Sequence, residues 1–122
     1  MAYVFAGVDF LEGQPKVGSK QCVALVQQFA HAPLTAQWRP GALVLGTPGI
    51  ARGTAIATFV NGVYPNQSSG NHAALYLEQD AGGIWVMDQW ADNITKPTIS
   101  KRYIRKGGAS LSNRAEAYSV IK

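Results

Sequence analysis

Along residues 22–30 the apolar positions Cys22, Val23, Val26, Phe29 and Ala30 recur at three- and four-residue steps, the spacing of one buried helix face. Ser19 suits the cap of a helix starting near Lys20, and Pro33 marks its end. Between Thr35 and Gly53 the residues Pro40, Gly41, Gly46, Pro48, Gly49 and Gly53 punctuate short apolar pieces, so this region is irregular or begins a sheet. Thr54–Val60 reads as a strand, followed by a mobile loop rich in Gly, Asn, Ser and Pro. "HAALYLE" and "GIWVMDQW" flank the turn-forming "QDAGG" and predict a hairpin, and "SKRYIRKG" and "AEAYSVIK" predict two further strands. A helix followed by a small antiparallel sheet is an α+β arrangement, with the helix packed on the sheet.

The 122 residues, 47% of them hydrophobic, suffice for one core and predict a single domain over 1–122. The N-terminus lacks a basic start, a continuous apolar run and a small-residue cleavage site, so no standard export signal is expected. No stretch approaches the roughly 18 apolar residues of a membrane span, and no membrane insertion is expected. The net charge is +4. It is concentrated after Asn93, where Lys96, Lys101, Arg102, Arg105, Lys106, Arg114 and Lys122 face the single acid Glu116. This predicts a basic surface in the C-terminal third, suited to an anionic polymer. No aromatic residues interleave with the charges as a base-stacking platform requires, so nucleic acid is not an expected partner.

One cysteine cannot form an internal disulfide, so Cys22 serves packing or reactivity. In the first helical turn, unpaired N–H groups and the helix dipole favour a thiolate. His31 lies nine residues further on, roughly 13 Å along the helix axis, which leaves His72 at the mouth of a strand as the only available base. A thiol nucleophile also needs a third polar group to orient the imidazole. The facing strand offers both Asp88 and Gln89, and hairpin register decides between them. An even sum of opposed residue numbers brings Asp88 to His72, with Ala74 admitting the helix on that face; an odd sum brings Gln89. A carboxylate is the better partner for an imidazolium. Of Trp38, Trp85 and Trp90, at least two are expected in the core, and Trp38 is a candidate wall of a substrate groove. One cysteine and two separated histidines do not make a zinc site, no phosphate loop is present, and neither metal nor cofactor is expected.

"KQCVALVQQF", with Gln21 directly before the cysteine, "RGTAIATF", "NHAALYL" and "VMDQW" occur in the order of the nucleophile helix, first strand, histidine strand and orienting strand of the cysteine, histidine-dependent amidohydrolase/peptidase (CHAP) group. They also resemble the related NlpC-like peptidases of the papain-like superfamily. The resemblance spans about Gly18 to Trp90. It implies a papain-like fold and hydrolysis of amide bonds in peptidoglycan peptides, with Cys22 as nucleophile, His72 as base and Asp88 as orienting residue. A compact, basic amidase without an export signal further resembles effectors delivered by the type VI secretion apparatus. Such an effector acts in the periplasm or cell wall and is neutralised by an immunity protein. The rival reading is a non-catalytic module of the same fold that docks on an anionic polymer through its basic third.

Overall fold

The computed structural model describes residues 2–65, 67 and 70–122, so the predicted loop over 61–71 lies partly outside the described residues. The helix α1 spans Cys22–Ala30. The strands are β1 (Pro40–Leu43), β2 (Ala55–Thr58), β3 (Ala73–Asp80), β4 (Gly83–Asp88), β5 (Ser100–Arg105) and β6 (Tyr118–Ile121). They form one sheet in the order β1-β6-β2-β3-β4-β5, antiparallel at every junction.

The helix starts where its periodicity begins, at Cys22, and later than the expected Ser19 cap suggests. Lys20 takes a left-handed φ of 69°, which a helix cannot include, and Gln21 is the extended N-cap. Ser19 makes no cap to the helix; its Oγ accepts only a long 3.4 Å contact from the Gln21 N–H. Cys22 is therefore the first helical residue, closer to the unpaired N–H groups than a Ser19 cap would place it. At the other end His31 turns left-handed, φ 61°, and stops the helix before Pro33.

Alternation along the central strands feeds two cores. On one face Leu25, Val26 and Ala30 of α1 pack over Ala55, Ala57, Ala73, Leu75, Met87 and Ile121. Full burial of Leu25 and Val26 contributes about 1.5–3 kcal/mol each. The small residues that admit the helix are thus Ala55, Ala57 and Ala73. Ala74, expected in that role, belongs to the opposite core with Ile56, Tyr76, Ile84, Val86, Ile104 and Tyr118. That second core is closed by Val44, Ile50 and Ala115 from segments outside the central strands.

Candidate active site

His72 immediately precedes β3, and Asp88 ends β4. Leu75 opposes Met87 and Tyr76 opposes Val86, both even sums, so Asp88 lies on the His72 face. The frame puts Ala74 directly opposite Asp88, and His72 meets it on the diagonal. Nearer the turn the register is odd, with Glu78 opposite Trp85 and Gln79 opposite Ile84. Leu77 is the extra residue, a β-bulge that changes one frame into the other. The result is a 2.8 Å bond between His72 Nε2 and Asp88 Oδ2, buried at both ends. A carboxylate can only accept, so Nε2 carries the hydrogen and Nδ1 is left for another partner.

Asp88 is fully buried, and three basic side chains converge on it. Arg102 Nε donates to Oδ2 at 2.9 Å. Lys96 Nζ stands 2.7 Å from Oδ1 outside hydrogen-bond geometry, so among the described residues that oxygen is held by charge alone. Burial resists ionisation of Asp88. The His72 bond and the charges of His72, Arg102 and Lys96 overcome that resistance and hold the carboxyl well below the usual carboxylate range. Two members of the predicted basic surface are thus turned inward: Lys96 is only 4% exposed, and the Arg102 side chain 20%. Their signal was charge without position. Trp90 packs beside them, its ring centre 4.8 Å from Lys96 Nζ and 5.3 Å from the Arg102 guanidinium carbon.

The thiol of Cys22 is half-buried at the start of α1, and its Sγ lies 3.7 Å from the Tyr64 hydroxyl. Burial opposes its ionisation. The hydrogen bond and charge of His72, the Ala73 N–H and the Tyr64 hydroxyl outweigh burial and lower the thiol below its ordinary value. Burial likewise pushes the His72 imidazole toward neutrality, and its bonds to Asp88 and Cys22 raise it instead. Both shifts favour a thiolate facing an imidazolium. Burial and the neighbouring Cys22 push the Tyr64 phenol far upward, so it keeps its proton and remains a donor. Two hollows border the group and share Asn71. One, about 300 Å³, opens along Gln21, Cys22, Val23, Thr35 and Tyr64. The other, about 280 Å³, lies beside His72, Trp90 and Arg102.

Gln89 is fully buried and faces away from His72. Its Oε1 accepts from the Val17 N–H at 3.0 Å, and its Nε2 donates to the carbonyls of Val17 at 3.1 Å and Gln21 at 2.8 Å. It ties down the segment that delivers Cys22. Gln21 itself is exposed and borders the thiol-side hollow. Trp38 is no groove wall. It is fully buried, donates Nε1–H to the Pro33 carbonyl at 2.8 Å, and backs Tyr64 edge-on at 4.8 Å between ring centres. Nor are two tryptophans in the core, since Trp85 is 37% exposed against Tyr103 and Trp90 is half-buried.

A sequence profile described as Dae2, domesticated amidase effector 2, matches residues 7–121. The type VI secretion amidase effector 2 protein of Salmonella typhi is 50% identical over 133 aligned residues that take in 100% of both chains. The chain belongs to the domesticated amidase effector 2 family. Domesticated amidase effector 2 of Ixodes scapularis is 37% identical over 101 residues, 80% of this chain and 66% of that one. Among solved structures, type 6 secretion amidase effector 2 (Tae2) superposes with a TM-score of 0.93 at 50% identity, covering 98% of this chain and 94% of that chain. Kinship with type VI amidase effectors, and the expected papain-like α+β fold with its helix on an antiparallel sheet, both hold.

In this member of the family Cys22, His72 and Asp88 all fall inside the matched region. Sequence reasoning missed Tyr64, Lys96 and Arg102. Tyr64 stands in a stretch of turn residues where nothing periodic marks an aromatic as inward. Lys96 and Arg102 carried a signal only as members of an uneven charge distribution.

Proposed function

We propose that the protein, acting as one domain over residues 1–122, hydrolyses amide bonds in peptidoglycan peptides by thiol catalysis. The observation that carries this reading is the convergence of three groups: the Cys22 thiol on the first helical residue, lowered by His72; the His72 imidazole, raised by its two partners; and the Asp88 carboxylate that holds His72 Nε2. The Cys22 thiolate attacks the amide carbonyl carbon, and the carbonyl electron pair moves to oxygen. The backbone N–H of Cys22, unpaired as the first of the helix, faces the developing oxyanion. As the C–N bond breaks, His72 gives its proton to the leaving amine. His72 then takes a proton from water, whose oxygen attacks the thioester and releases the acid and the thiol. Asp88 holds the tautomer and stabilises the imidazolium throughout.

By analogy with its type VI relative, the protein reaches a target cell's wall compartment through that apparatus, and a producing cell carries an immunity protein against it. The non-catalytic reading loses ground because Lys96 and Arg102, two of the seven C-terminal cations, serve Asp88 instead of the surface. Digestion of purified peptidoglycan, with the released fragments identified by mass, tests the proposal. Wild-type protein should liberate peptide fragments and Cys22→Ala none. Full activity in Cys22→Ala would end the thiol mechanism.

A further inference from the structure

The cation cluster holds more charge than its acid needs. Asp88 supplies one negative charge and faces two basic side chains, Lys96 and Arg102, so one positive charge is in excess before His72 is counted. The Cys22–His72 pair is neutral as a unit and leaves that excess unchanged. Lys96 is sealed from solvent, whereas Arg102 reaches the 280 Å³ hollow, which is lined by Asn71, His72, Trp90, Arg102, Ser112 and Asn113.

The guanidinium is held rigidly. Its Nε donates to Asp88, its Nη1 to Asn113 Oδ1 at 2.9 Å and its Nη2 to the Ser112 carbonyl at 3.5 Å, while its central carbon lies over the Trp90 ring. Arginine has five N–H donors. These three bonds leave two N–H groups, one on each terminal nitrogen, with the Tyr118 hydroxyl also beside the guanidinium. A guanidinium with a free donor on each terminal nitrogen, fixed in place and carrying uncompensated charge, suits a carboxylate.

We infer that this hollow binds a free carboxylate of the peptide substrate, on a residue close to the bond that Cys22 attacks. The inference rests on the thiol amidase reading and narrows its substrates to peptides bearing a free carboxyl group on the His72 side. Arg102 then has two tasks. Nε holds Asp88 in place, and the Nη pair reads the substrate.

Soluble cross-linked peptides from peptidoglycan, compared before and after their carboxyl groups are converted to amides, test this directly. For the wild type, amidation should raise KM about 10- to 100-fold with a far smaller change in kcat, the size expected for losing charge-assisted hydrogen bonds. Arg102→Gln should bring the two substrates to the same KM. Asn113→Asp, on the exposed rim, places a competing carboxylate against Nη1 and tests the hollow without disturbing Asp88. It should raise KM about tenfold for the native peptides and by much less for the amidated ones, narrowing the difference between the two. Equal KM values for both substrates in the wild type would overturn the inference and leave amidase function standing. So would discrimination that survives in Arg102→Gln, or an unchanged KM for native peptides in Asn113→Asp. Cleavage of neither substrate by the wild type would overturn the peptidoglycan reading and this inference with it.

Discussion

Asp88 and Gln89 are consecutive residues that serve opposite faces of one sheet: Asp88 bonds His72 Nε2 at 2.8 Å, and Gln89 bonds the backbone of Val17 and Gln21 just ahead of Cys22. One strand end thus fixes both the proposed base and the approach of the proposed nucleophile.

Substitution separates the two roles. Asp88→Ala should lower kcat by about a thousandfold, because the imidazole loses its tautomer and its counter-charge. Gln89→Ala should cost about 1–3 kcal/mol of stability, since three backbone groups lose their partner. Its kcat should fall about tenfold, and the iodoacetamide reaction of Cys22 should slow in parallel. Steady-state kinetics with denaturant unfolding of each variant checks both. The reverse ranking of the two kcat values would contradict the observed register.

The titration of the pair gives a second expectation. Activity should rise with pH as Cys22 ionises, at a point below the ordinary thiol value of 9.0, and fall as His72 loses its proton, above the ordinary 6.5. Asp88→Asn removes a charge that raises His72, so the alkaline limb should move to lower pH. A kcat/KM profile of wild type and variant, covering the acid and alkaline limbs, reads both shifts.

Tyr64 donates toward the thiolate, and Tyr64→Phe deletes that donor while keeping the ring that packs on Trp38. The acid limb should move to higher pH, and kcat should fall about tenfold, the scale of one hydrogen bond to a charged group. Alkylation rate of Cys22 against pH is the measurement. An unmoved limb would show that the hydroxyl does not serve the thiolate.

Acid should unfold the protein through Asp88. Its folded pKa is depressed, so its contribution to stability is complete above the ordinary value of 3.8 and is lost as pH falls through the folded value. Asp88→Asn, which strands Lys96 and Arg102, should cost about 3–5 kcal/mol near neutrality and flatten the dependence below pH 4. Thermal unfolding at several pH values follows both effects.

The periodic parts of this architecture were legible in the chain. The apolar spacing of Val23, Val26 and Ala30 marked the helix, the alternation around "QDAGG" marked the hairpin, and His72 at a strand mouth pointed to Cys22. What stayed hidden depends on contacts distant in sequence. Nothing in Tyr76–Leu77–Glu78 distinguishes a bulged strand from a regular one, because the extra residue simply joins the apolar face beside Leu75. Lys96 and Arg102 read as solvated charges until a buried carboxylate is placed among them. Trp38 looked suited to a groove because its size was legible and its partners Pro33 and Tyr64 were not.

The bulge at Leu77 gives the hairpin a phase, and phase responds to the count of residues more than to their kind. Leu77 is the residue the pairing skips, so its loss would straighten β3 and leave the frame at Asp88 unchanged, whereas a residue lost from β4, such as Val86, would hand His72 the amide of Gln89 and turn the carboxylate toward α1. Substitutions at Leu77 that keep its apolar bulk leave the count intact. The chemistry at the sheet's end is in this sense protected by arithmetic, and length variation among relatives should concentrate in loops and at the bulge rather than within β4.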